Sequence, residues 1–307
     1  MRRIHRFHTT ALATATALSV ALLSACTIGD VSGNNDAENA PQGAEEESAP
    51  QPTLPESTPV SAPAPVTTED LPVIEATDPQ EALDAIAADN PGTGIAVAGG
   101  GTVFAAGMTD PVAAWSTAKV PLALAAERAG VAEDGIVTQA ITYSDNAAAD
   151  SLWEALGGGQ EAAQATQEII GTTSVPATPP RPGFSAFGQT QWSVAQQAEF
   201  VASLGCMDGA EPVLAAMGQP DPAQSYGLGT LEGAVKKGGW GPAEDGSYEA
   251  RQMGLVTLGG HTVAVAIYAS ADSGDYGDAQ QMLTRLAAQL ESAEVEWPAA
   301  GCLQGAV

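Results

Sequence analysis

The chain has 307 residues, with 37 Asp plus Glu against 10 Lys plus Arg and a formal net charge of −27. No basic residue stands between Arg6 and Lys119. That balance excludes nucleic acid and anionic membrane surfaces as partners, because both are held by clustered cations. There is no CxxC pair and no His/Cys cluster, so no zinc site, metal or cofactor is implied.

The N-terminus, MRRIHRFHTTALATATALSVALLSAC, has a basic head at Arg2, Arg3 and Arg6, then an apolar run of small residues. This is the pattern of a secretory signal over residues 1–25. The run is weaker and shorter than the roughly 20 residues a spanning helix needs. Its ending, Leu23-Ser24-Ala25-Cys26, resembles the lipobox of bacterial lipoproteins. The resemblance implies lipidation at Cys26 and attachment to the outer face of the cell membrane. An ordinary signal peptide with a chance cysteine is the alternative.

Residues 26–77, with AEEESAPQPTLPESTPVSAPAPVTTED at their centre, are rich in Pro, Ser, Ala and acids and show neither a helical nor a strand period. Such composition does not bury enough surface to offset chain entropy, so a disordered tether is expected. Roughly 50 flexible residues reach about 40 Å. The folded part is then 78–307, long enough for one core.

Within it, Asp78-Pro79 starts a helix through PQEALDAIAA. GIAVAGG and TVFAAG read as a hairpin. AAWSTAKVPLALAAERAG predicts a helix from Ser116, and GIVTQAITYSDNAAADSLWEALGGG two short helices meeting around Tyr143 to Asn146. GQEAAQATQEIIG predicts another helix. Residues 171–192 form a long Pro/Gly loop, a length usually functional or disordered. SVAQQAEFVASLG follows as a helix capped by Ser193. GAVKKGGW, YEARQMGLVTL and HTVAVAIYAS read as three strands, and DAQQMLTRLAAQL as a final amphipathic helix. Strands at both ends of the domain close one antiparallel sheet around a helical insert. Cys206 and Cys302, in an exported chain, are expected to form a disulfide worth on the order of 4 kcal/mol; two free buried thiols are the alternative.

Only three lysines occur: Lys119, Lys236 and Lys237. Lys119 lies three residues after Ser116, so the two share one helix face. A serine hydroxyl becomes a nucleophile when a neighbour takes its proton, and a lysine whose pKa is lowered by burial or a second cation serves as that neighbour. Lys236 and Lys237 sit in KKGGWG, where glycines allow close approach to the backbone. Ser144-Asp145-Asn146 lies in a turn between helices; by itself it is ordinary turn and capping chemistry.

Together, in this order, the three features resemble the penicillin-recognising serine hydrolases, most closely the class A β-lactamase-like branch, known by S-x-x-K, S-D-N and K-T-G. The resemblance covers roughly residues 78–293. It implies an α/β (α+β) fold: a five-stranded antiparallel sheet flanked by helices, with a shortened all-helical insert. It makes Ser116 the acylated nucleophile, Lys119 its base and Ser144 a proton relay to the leaving nitrogen. Asn146 would contact the substrate amide, and Lys237, at the head of the Lys237-Gly238-Gly239 motif, the substrate carboxylate. The backbone N–H groups of Ser116 and Trp240 would form an oxyanion hole. Arg251 would provide a second carboxylate contact, or be a plain solvated strand residue. Trp115 is expected to pack in the core.

Three departures matter. Ser116 and Ser144 are closer in sequence than in typical family members. Gly238 lacks the hydroxyl usual at that position. After Glu168 no Asp or Glu occurs until Glu199, so the loop carries no acid to activate a deacylating water. The expectation is a monomeric, penicillin-binding-type protein that forms an acyl-enzyme with β-lactams or D-Ala-D-Ala-like cell-wall peptides and releases it slowly. The rival is a non-catalytic family member that binds wall fragments or a protein partner. A Ser-His-Asp hydrolase would have to rely on His261, beside Gly259-Gly260 in a predicted turn.

Overall fold

The computed structural model describes residue 74 and residues 76–301. The expected signal sequence, Cys26, the tether up to residue 73 and Cys302 lie outside the described residues. Nineteen elements among the described residues follow the predicted order closely, and no described helix is long and apolar enough to cross a membrane.

Helix α1 (Pro79–Asp89) begins where Asp78 accepts a hydrogen bond from the Glu81 backbone N–H and Pro79 fixes the first turn. Strands β1 (Thr93–Gly99) and β2 (Thr102–Gly107) pair antiparallel across Gly100-Gly101. After the two-residue strand β3 (Val112–Ala113), a 3-10 turn (Trp115–Ala118) leads into α2 (Lys119–Ala129). The helical middle continues with α3 (Ile136–Ile141), α4 (Asn146–Ala155) and α5 (Gly159–Ile170). The loop beyond α5 contains a 3-10 turn (Phe187–Gln189) and ends in β4 (Gln191–Trp192), which pairs with β3. A capping box between Ser193 and Gln196 opens α6 (Val194–Leu204), and α7 (Ala210–Met217) follows. The C-terminal strands are β5 (Val235–Pro242), β6 (Tyr248–Leu258) and β7 (His261–Ser270), and α8 (Tyr276–Ser292) closes the domain.

The five long strands make one antiparallel sheet in the order β2-β1-β7-β6-β5. Alternation along the strands separates two cores. Ile95, Val97, Val263, Val265 and Ile267 face α1 and α8. Ala96, Ala98, Ala264 and Ala266 face the helical half, where small side chains let α6 pack close to the sheet. Helix α2 is buried from Lys119 through Ala126 and forms the axis of that half. Ile74, ahead of the expected start of the folded part, is already buried in the α1/α8 core.

Two features went unassigned in the sequence: α7, whose first turn holds Pro212, and the short β3–β4 pairing inside the long loop. Cys206, just past α6, is disulfide-bonded.

Candidate active site

The turn that carries Ser116 is strained. Among the described residues only Trp115 and Ser144 are non-glycine residues with positive φ, at 50° and 56°. Such backbone costs on the order of 1–3 kcal/mol and persists where the surroundings over-determine it. Trp115 is 6% exposed and held on three sides. Its Nε1 donates to Glu249 Oε1 at 2.7 Å, Phe184 packs edge-on at 5.4 Å, and the Arg181 guanidinium lies over the ring. It is a core residue, and its packing locks the backbone that presents Ser116.

Lys119 enters from the first position of α2, 1% exposed. Its Nζ donates to the Ser144 carbonyl, to Asn146 Oδ1 at 2.7 Å and to Ser144 Oγ at 3.4 Å. An ammonium has three donors, and these contacts use all three. Desolvation lowers its pKa to about 8, against the opposing pull of the Asp145 and Asp150 carboxylates. The contact to Ser144 Oγ is the longest of the three and the one a neutral amine gives up most cheaply. Among the described residues no side chain hydrogen-bonds the Ser116 hydroxyl.

Lys237 reaches the same serine from the opposite wall. Its Nζ donates to Ser144 Oγ at 2.8 Å and to the Gly238 carbonyl at 2.9 Å. Desolvation, with Lys119 and Lys236 adding repulsion, pushes its pKa well down. A hydroxyl has two acceptor sites and one donor. With a lysine N–H donor on each acceptor site, the Ser144 proton is directed away from both lysines. That is the geometry of a proton donor. Asp145 caps α4 through the Ala148 N–H at 2.8 Å. This places Asn146 with its Oδ1 on Lys119 and its amide donors free for a substrate carbonyl.

Gly239 is explained by space. A Cβ there would sit 2.8 Å from Ser116 N and 3.0 Å from Thr117 N. Only glycine lets β5 meet the nucleophile turn, one residue before the expected oxyanion donor Trp240. The Trp240 ring stacks on Tyr276 at 5.5 Å. At Gly238 a Cβ would meet Tyr226 Oη at 3.6 Å and Gln224 Oε1 at 3.7 Å, ordinary contacts. The missing hydroxyl is therefore not excluded by crowding, and Tyr226 and Gln224 are polar neighbours the sequence did not reveal.

Arg251 is corrected. It is fully buried and donates from Nε and Nη2 to Gln197 Oε1, from Nη2 to the Trp192 carbonyl, and from Nη1 to the Val112 and Ala113 carbonyls. All five donors are occupied, so none remains for a substrate carboxylate. It is neither a ligand contact nor a solvated strand residue. Gln197 Nε2 in turn donates to Thr117 Oγ1 at 2.7 Å, and Thr117 Oγ1 donates to the Ala114 carbonyl. Arg251 thus fastens the β3–β4 pair and α6 beneath the nucleophile turn.

His261 is exposed at the Gly259-Gly260 hairpin turn and pairs with Leu258. No group of three or more His, Cys, Asp or Glu among the described residues is placed to hold a metal. A cavity between α3 and α7, lined by Thr138, Tyr143, Ala216 and Pro220, takes in none of the expected site residues.

No protein-family model matches the chain, and no curated protein matches it. Solved structures do. A class A β-lactamase representative from Bacteroides cellulosilyticus aligns with TM-score 0.59 at 13% identity, over 71% of this chain and 99% of its own. A β-lactamase from Chitinophaga pinensis gives 0.56 at 16%, over 68% and 96%. A variant of the class A β-lactamase of the last common ancestor of Gram-negative bacteria gives 0.52 at 20%, over 68% and 95%. The fold is that of the class A β-lactamases. The motifs named from the sequence fall on the elements that bring Lys119, Ser144, Asn146 and Lys237 together.

Proposed function

We propose that this chain is an exported serine acyl-transfer protein of the penicillin-binding type, forming an acyl-enzyme at Ser116. The reading is carried by one observation: the Ser144 hydroxyl held between Lys119 and Lys237. Neutral Lys119 accepts the Ser116 proton as Oγ attacks a strained or activated carbonyl. The oxyanion is met by the Ser116 and Trp240 N–H groups, and Ser144 passes its proton to the departing nitrogen, reprotonated from the lysine pair. Asn146 orients the acyl amide, and Lys237 with Ser144 attracts the substrate carboxylate. β-Lactams, or cell-wall peptides ending in D-Ala-D-Ala, supply that chemistry. The acid-free loop makes release slow.

The lipobox-like ending at Cys26 and the acidic stretch after it support attachment by lipid to the outer face of the cell membrane, with the domain acting as a monomer. A disulfide from Cys206 to Cys302 fits that compartment.

Incubation of the full chain with a penicillin, followed by intact mass measurement, tests the proposal. A persistent adduct on the wild type and none on Ser116→Ala is expected. No adduct, with muropeptide binding retained, would establish the non-catalytic reading, which the bare Gly238 and the fully engaged Arg251 favour.

A further inference from the structure

We propose that Asp150, on α4, is the base that activates water for release of the acyl group from Ser116. The inference rests on the acyl-enzyme reading above. An acyl-enzyme needs a group to take a proton from water, and the loop that could carry one has no Asp or Glu between Glu168 and Glu199. The acid has to come from another element.

Helix α4 is the element already committed to the site. Its first residue, Asn146, sits 2.7 Å from Lys119 Nζ. Asp150 follows one helical turn later on the same face, with Cβ atoms about 5–6 Å apart at that spacing. Lys119 feels two carboxylates, Asp145 and Asp150. Asp145 is spent on the α4 cap. Asp150 accepts no hydrogen bond from any described residue, and its residue is open to water. The charged groups around it are Lys119 from α2, Asp145 from the preceding turn and Glu154 on α4 itself. Desolvation raises its proton affinity, Lys119 lowers it, and Glu154 and Asp145 raise it again. The result is a carboxylate that holds a proton more readily than an ordinary aspartate, on the helix face that also carries Asn146.

In the release step, the Asp150 carboxylate takes a proton from water as the water oxygen bonds to the acyl carbon. The bond from that carbon to Ser116 Oγ then breaks. Asp150 passes its proton to neutral Lys119, which hands it to Oγ, so that both groups end as they began. One water is consumed and one carboxylic acid released.

Pre-steady-state kinetics of the full chain with a chromogenic cephalosporin separate the two steps, because the burst reads acylation and the linear phase reads release. In Asp150→Asn the burst should remain while the linear phase falls on the order of 10²-fold. Asp150→Glu should recover part of it, and the melting temperature should stay put. The low-pH limb of the release rate, present in the wild type, should vanish in Asp150→Asn. A burst followed by an unchanged linear phase in Asp150→Asn overturns the assignment alone. Loss of the burst in that variant makes Asp150 a structural or acylation residue and overturns it as well. No burst from the wild type overturns the acyl-enzyme reading and this inference with it.

Discussion

Replacing Arg251 by methionine removes five donors from a fully buried position while keeping most of the side-chain volume. Four acceptors lose a partner: Gln197 Oε1 and the carbonyls of Val112, Ala113 and Trp192. Each buried group left unsatisfied costs about 1–3 kcal/mol. The gross loss is offset by relief of burying the cation, whose pKa desolvation has lowered to about 10. A net destabilisation of about 3–5 kcal/mol is expected, typical of breaking a buried charged network. For a domain of this size that is a fall of roughly 10 °C in melting temperature. Arg251→Lys should fail in the same direction, because a point charge does not replace the planar fork. Because Gln197 links Arg251 to Thr117, acylation of Ser116 should also slow, and equally for a penicillin and its carboxyl ester. Urea unfolding and burst kinetics at low temperature read both effects. An unchanged unfolding midpoint, with loss confined to the carboxylate-bearing compound, would refute the account and return Arg251 to the ligand.

Acylation should rise with pH through about 8, as Lys119 loses its proton and becomes the base; a stopped-flow pH profile shows it, and a flat profile contradicts the role. The same depression affects stability. Between about 8 and 10.5 the unfolded lysine holds a proton the folded one has lost, so stability rises with pH across that window, by up to roughly 3 kcal/mol for each of Lys119 and Lys236. Melting curves over that range, compared with Lys236→Met, measure the slope. Gly239→Ala should cut the acylation rate by at least about tenfold, because its Cβ displaces the Ser116 and Thr117 amides; wild-type rates in that variant would contradict the contact. Gly238→Thr should fold normally, since its Cβ meets nothing closer than 3.6 Å, and should leave penicillin binding unchanged, because the added side chain points to the Tyr226 and Gln224 face and away from Ser144. A lower melting temperature or weaker binding there would show that Tyr226 and Gln224 already fill the space.

The helices and long strands were legible because their periodicities and caps are local: Asp78, Ser193 and the Gly100-Gly101 and Gly259-Gly260 turns each announce themselves within a few residues. The three motifs were legible for a different reason. A chain with three lysines leaves little ambiguity about which ones are placed deliberately. Arg251 and Asp150 were not legible. Whether a strand arginine meets water, a ligand or five buried acceptors depends on Val112, Trp192 and Gln197, all more than 50 residues away in sequence. Asp150 gains its meaning only from a lysine on another helix and from the lack of acids in the loop after α5.

Strand β5 shows why two adjacent identical residues have different fates. Alternation sends Lys237 and Gly239 to the helical half, where they meet Ser144 and the Ser116 turn. It sends Lys236, Gly238 and Trp240 to the opposite face, toward Gln224, Tyr226 and Tyr276. Lys236 is as buried as Lys237, yet it donates to the Gln224 carbonyl rather than to a serine hydroxyl. Its influence on the site is through charge, as one of the two cations that depress Lys237. A one-residue slip of β5 against β6 that carried Gly238 into the place of Lys237 would exchange the two faces, setting a glycine opposite Ser144 and Trp240 against the Ser116 turn. The eight-residue pairing from Val235 to Pro242 is what forbids that slip, and so the chemistry at Ser116 depends on the register of the strand as much as on the identity of its lysines.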